Sequence, residues 1–150
     1  MSYLQKRFLL VTLLLGAIGT VLSQRTTNSL PAVLKQIAAA NIYEMSLTVG
    51  YAGTASQQFY RLQQLLRLAL SKELIQIAAH HKNAVVRLYA YGALKQKKEV
   101  IPYRLTKKVL KDRTKVKVLY SCEASETTVA VLAVRDYQYD INNIGAMTNF

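Results

Sequence analysis

Residues 83–94 read NAVVRLYAYGAL. Asn83 suits a helix N-cap, because its side-chain oxygen can accept a bond from an orphan backbone N–H of the first turn. Val86, Ala90, Ala93 and Leu94 then recur at i, i+4, i+7 and i+8, on one helical stripe. Two of these four residues are alanine. A stripe of small residues lets a neighbouring helix approach closely, so the segment predicts a helix packed between others. Gly92 costs about 1 kcal/mol against alanine inside a helix, which predicts a close crossing of another helix at that point. Tyr89 and Tyr91 flank Ala90, and one of them is expected to meet solvent or the next helix.

The segment resembles the second helix of a HEAT-type repeat. That pattern has an Asp or Asn cap, then Val-Arg, then Ala three residues on, then Ala-Leu. Here it is carried by Asn83, Val86, Arg87, Ala90, Ala93 and Leu94. Residues 71–81, SKELIQIAAHH, look like the first helix of the same repeat, with Leu74, Ile77 and Ala78 on its apolar face. Residues 101–117 look like the start of a second unit, with Pro102 in its first turn and Asp112 before Val116-Lys117. This second match decays: Lys117 replaces the arginine and Tyr120 stands where alanine belongs. The order His81-Lys82-Asn83-Ala84-Val85-Val86-Arg87 is also similar to small exported HEAT-like proteins of bacteria. The resemblance implies an all-α (or mostly α) fold, a short helical repeat, into which the alternation described below would set one short extended segment near 114–121. It also implies that Arg87 bonds a carboxylate or the helix-end carbonyls of the next unit, with Asp112 the candidate. It brings no activity with it.

Outward from this core, residues 30–46 predict a helix opening at Pro31, with Val33, Leu34, Ile37, Ala38 and Ile42 on one side. Proline at the first helical position leaves no bond unmade, since that N–H lacks a partner anyway. Residues 48–55, TVGYAGTA, read as a turn through Gly50 and Gly53. A helix follows from Ser56 with Phe59, Leu62, Leu65, Leu66 and Ala69, and Ser71 breaks and recaps it. Val116 to Tyr120 alternates and suits a short strand. Ser125 is read as the cap of a last helix over 126–137, with Val129, Leu132, Ala133 and Tyr137 on one face. VAVLAV at 129–134 would also serve as a strand, and periodicity alone leaves both open. Residues 142–150 have no pattern and are read as a mobile tail.

The N-terminus orders Lys6 and Arg7, an apolar run from Phe8 to Leu22, then small residues. That order reads as a signal peptide cleaved after Ser23, with Val21 and Ser23 at the −3 and −1 positions. An apolar run this short falls below the about 20 residues a membrane-spanning helix needs. An uncleaved anchor and a buried first helix are the alternatives, and no cysteine stands at the boundary for a lipid anchor. Residues 24–29 form a linker, and 30–141 form a single HEAT-like domain. The protein is therefore expected to be exported, periplasmic or secreted. The one cysteine, Cys122, can form no internal disulfide and is read as a buried small apolar residue.

The formal net charge is +12, and the cations crowd residues 95–117. On a helix from Pro102, Arg104, Lys107, Lys108 and Lys111 fall at i, i+3, i+4 and i+7, on one face. Such a stripe raises a positive potential that attracts anions. A solvated surface face is the alternative. Most of the tyrosines are read as lining seams between helices. Tyr89 and Tyr91 are also candidate contact residues, since tyrosine joins apolar area to a hydroxyl.

Residues for catalysis are sparse. His80 and His81 are adjacent, so on a helix they point about 100° apart and cannot readily chelate one metal. They are read as helix-end residues interacting with the C-terminal dipole. No Gly-x-Ser-x-Gly, phosphate loop or paired carboxylates occur. The reading is a non-enzymatic protein with no cofactor and no metal, a binding or scaffold protein of the envelope or secreted space. It would bind another protein through its repeat surface. The alternative is a polyanion-binding module, for an anionic glycan, lipid or nucleic acid, acting through residues 95–117.

Overall fold

The computed structural model describes residues 29–135. The signal segment, nearly all of the 24–29 linker, the 142–150 tail, Tyr137 and Tyr139 lie outside the described residues. Helix α1, Leu30–Ala40, opens with Pro31 in its first turn and buries Val33 and Ile37, one turn apart. It stops short of the expected residue 46. Asn41 enters the left-handed region at φ 48° and donates its N–H to the Ile37 carbonyl. Asparagine tolerates that conformation because its short polar side chain bonds locally. The chain then runs into strand β1, Ile42–Glu44.

Strands β2, Thr48–Val49, and β3, Thr54–Ala55, form a small hairpin where a simple turn was expected. Gly50 and Gly53 both hold positive φ in it. Helix α2, Gln57–Leu68, is capped by Ser56, whose Oγ accepts the Phe59 N–H at 2.9 Å. Helix α3, Ser71–His80, begins at the serine expected to cap it, so the cap falls one residue earlier, on Leu70. Its N–H donates to Glu73 Oε2 at 2.8 Å. Helix α4, Ala84–Gln96, is capped by Asn83, which accepts the Val86 N–H at 3.0 Å. Helix α5, Tyr103–Leu110, strands β4, Lys115–Tyr120, and β5, Glu123–Thr128, and helix α6, Val129–Val134, complete the order.

The all-α expectation fails. Of the described residues, 56% are helical and 18% lie in strands, so the protein is mixed α/β. A three-stranded sheet runs β1-β4-β5, with β1 parallel and β5 antiparallel to β4. Tyr43 lies opposite Val118, and Ser125 lies opposite Val118 from the other side. Ser125 is thus mid-strand and caps nothing. The final helix starts later, with Thr128 accepting from Val131 N–H. VAVLAV is that helix, burying Val129, Leu132 and Ala133.

Helix α4 is the centre of the core. It touches α1, α2, α3, α6 and β4, and Val85, Val86, Leu88, Ala90, Ala93 and Leu94 are all buried. A helix surrounded this way must be apolar nearly all round, which explains why its sequence has so weak a polar face. Gly92 marks no helix crossing. A Cβ placed there would meet the Tyr43 hydroxyl of β1 at 3.8 Å, an ordinary contact.

Candidate functional site

Leu105 and Val109, one turn apart, pin the inner side of α5 to the core. That side packs on α3 and α6. The remaining face turns outward and carries Arg104, Lys107, Lys108 and the capping Lys111, all exposed. Among the described residues, no carboxylate pairs with any of the four. Lys107 and Lys108 also stand in the last turn, where the helix dipole favours positive charge.

The rest of the basic segment divides by role. Lys97 turns away from any surface stripe, donating from Nζ to the Ala69 carbonyl at 2.9 Å and so closing the end of α2. Lys115 pairs with Glu126 at 3.3 Å across the β4–β5 ladder. Arg113 and Lys117 are exposed. The cations that share one helix face are therefore fewer than those of 95–117 and lie on α5 and its cap.

Neither of the two candidate contact tyrosines reaches the surface. Tyr89 is 0% exposed and Tyr91 6%, so neither can touch a partner. The reason is the central position of α4. The Tyr89 hydroxyl accepts the Glu44 N–H at 3.1 Å, and its ring lies 4.7 Å from that of Tyr43. Tyr51, Tyr60, Tyr103 and Tyr120 are the exposed ones, so most described tyrosines do not line helix seams. Cys122 is exposed in the β4–β5 turn, not buried.

Arg87 ties the helical hairpin to the segment after α5. It donates to Asp112 Oδ2 from Nε at 3.1 Å and from Nη2 at 2.6 Å. Nη1 donates to the carbonyls of His81 and Lys82 at the end of α3, at 2.9 and 3.1 Å. Burial alone would raise the Asp112 carboxyl. The hydroxyl and amide bonds from Thr114, then the bond and charge of Arg87, outweigh it, and the group sits below its ordinary value of 3.8. Asn83 makes a second tie, donating from Nδ2 to Asn41 Oδ1 at 2.9 Å. His81 braces the same turn, its Nδ1 accepting the Asn83 N–H at 3.1 Å.

Two features escape a reading by periodicity. Ser56 donates to the buried Glu44 Oε2, and Gln58 Nε2 donates to the Ile42 carbonyl at 2.7 Å. Ser56 and Gln58 are fully buried, so this cluster locks β1 to α2 and offers no accessible nucleophile. The second is a groove of about 480 Å³ on the sheet, lined by Met45, Val118, Tyr120, Ser125, Leu132 and Arg135 among others. It depends on the β5 pairing, which nothing in the polar run EASETT announces. Among the described residues, no group of three or more His, Cys, Asp or Glu is placed to hold a metal ion, and no helix is long and apolar enough to cross a membrane. No protein-family model and no curated protein matches the chain.

Proposed function

We propose that this protein is a non-enzymatic binding protein that holds an anionic partner on the outer face of α5. The observation that carries the reading is the placement of Arg104, Lys107, Lys108 and Lys111. Four cations share one exposed face of a helix whose opposite face is fixed in the core, and no described carboxylate neutralises them. Their fields add, and an opposed anionic surface gains from all four at once. The reading in which another protein docks on a repeat surface through Tyr89 or Tyr91 loses its contact residues, since both are buried.

The order of charge, apolar run and small residues over 1–23 supports export with cleavage after Ser23. N-terminal sequencing of the exported protein then begins at Gln24, and retention of Met1 in the cytoplasmic fraction overturns it.

The binding reading is tested by replacing the four cations with glutamine. The parent protein is retained on a sulfated polyanion matrix and released by salt, because screening acts over about 10 Å at 0.1 M. The variant passes through unretained with unchanged helical circular dichroism. Equal retention of parent and variant removes α5 as the site.

A further inference from the structure

We infer that the partner of α5 is the surface of an anionic phospholipid bilayer. The inference rests on the anionic-partner reading above and adds the apolar side chains that border the cations. Val100 is 92% exposed, Tyr103 76% and Leu110 40%. Single exposed apolar residues are ordinary on a protein surface. These three are grouped. Val100 lies just before α5, while Tyr103, Lys107 and Leu110 follow one another at i, i+4 and i+7 along it. With 100° per residue, Lys107 sits at the middle of the outward arc, Tyr103 and Leu110 on one side of it, Arg104 and Lys111 on the other. A flat surface laid on that arc meets both kinds of side chain together.

The chemistry of the two halves selects the partner. Cations near an anionic leaflet each strengthen binding by roughly fivefold, and the effect fades within a Debye length. Lysine and arginine keep their charge at the headgroups while their stems lie along apolar surface. Tyrosine, with an apolar ring and a polar hydroxyl, settles at the boundary between acyl chains and headgroups. A sulfated glycan or a nucleic-acid backbone offers the cations their counter-charge but leaves Val100 and Leu110 in water. A bilayer interface satisfies both halves, as it does for amphipathic helices that lie in the membrane plane.

The chain contains no tryptophan, so Tyr103→Trp places a single reporter at the proposed contact. The full chain is used, and every comparison is made between variants carrying the same N-terminus, so that binding by residues 8–22 cancels. The emission of Tyr103→Trp shifts to the blue with phosphatidylglycerol vesicles and stays unchanged with phosphatidylcholine vesicles. An unshifted emission in anionic vesicles that sediment the protein overturns the proposal. A triple variant, Val100→Ser with Tyr103→Ser and Leu110→Ser, supplies the second measurement. Its co-sedimentation with phosphatidylglycerol vesicles falls by roughly tenfold, while its retention on the sulfated matrix stays that of the parent. If vesicle binding is unchanged, α5 acts through charge alone. The lipid assignment then fails, and the anionic-partner reading stands or falls separately on the four-glutamine variant. Retention of nucleic acid or an acidic protein with no change in the Tyr103→Trp emission counts against the lipid assignment in the same way.

Discussion

The Arg87 guanidinium nitrogen Nη2 lies 2.6 Å from Asp112 Oδ2, joining α4 to the turn that follows α5. Both side chains are mostly covered, at 15% and 17% exposure. That burial separates this pair from an exposed ion pair, whose contribution is about 0–1 kcal/mol. Because the same guanidinium also holds the carbonyls of His81 and Lys82, just past the end of α3, three segments meet on one side chain. The turn in question also receives the start of α6, where Ala130 N–H donates to the Asp112 carbonyl at 3.0 Å. The pair therefore positions α5, and with it the basic face.

A double-mutant cycle on Arg87→Ala and Asp112→Ala is expected to show a coupling of about 0.5–3 kcal/mol, the range for side chains sharing one bonded network. Chemical denaturation of the four proteins measures it. Additive losses would show that the contact contributes nothing to stability.

The acid limb of stability follows from Asp112. Its folded carboxyl lies below 3.8, so the folded state binds fewer protons there than the unfolded state does. The stabilisation is fully present above the unfolded value and is lost as pH falls through the folded one. The difference in stability between the parent and Asp112→Asn should be constant above about pH 5 and close progressively below the ordinary carboxylate range. Denaturation profiles across that interval check it. A gap that stays constant into strong acid would rule out the linkage.

Tyr89→Phe removes the hydroxyl that receives the Glu44 N–H and donates back to the Glu44 carbonyl at 3.4 Å. The amide loses a bond in a place that water cannot reach. The expected cost is about 1–3 kcal/mol, the penalty for leaving a buried polar group without its partner. Thermal melting reads the loss, and faster amide exchange at Glu44 locates it. An unchanged midpoint would mean that the Tyr89 hydroxyl contributes nothing to holding β1.

Gly92→Ala should stabilise the protein. The new methyl group meets only the Tyr43 hydroxyl, at an ordinary 3.8 Å, and the unfolded chain loses freedom. The gain expected is about 0.4–1 kcal/mol, seen as a raised melting temperature. A lowered one would show that the α4–Tyr43 approach tolerates no added atom.

Helix α4 was legible because everything that defines it lies within one stretch: an asparagine cap, a stripe at helical spacing, and apolar residues on the remaining faces. The cationic face of α5 was legible for the same reason, since Arg104, Lys107, Lys108 and Lys111 recur at helical spacing within one stretch. The pairing of Arg87 with Asp112 came from the repeat resemblance, and the geometry supplies it even though the chain is not all-α. The end of α1 was misread because Ile42 continues its apolar side, while the stop depends on the backbone of Asn41. Tyr89 and Tyr91 were misread as surface candidates because helical spacing does not say how many neighbours a helix has.

By itself, then, the sequence determined local features: the Asn83 cap, the turn through Gly50 and Gly53, and the amphipathic faces of α2 and α5. Each rests on interactions among residues a few positions apart, where backbone geometry alone decides which side chains meet. Only the tertiary structure decided the sheet. Strand β1 pairs with β4 across some seventy residues of chain, and β5, with its polar EASETT, is a strand because β4 offers it a hydrogen-bonding edge. Strand formation depends on that partner and on burial more than on the intrinsic preference of the residues. The same packing enclosed α4 on all sides, withdrew its tyrosines from solvent, and left the cationic face of α5 outside.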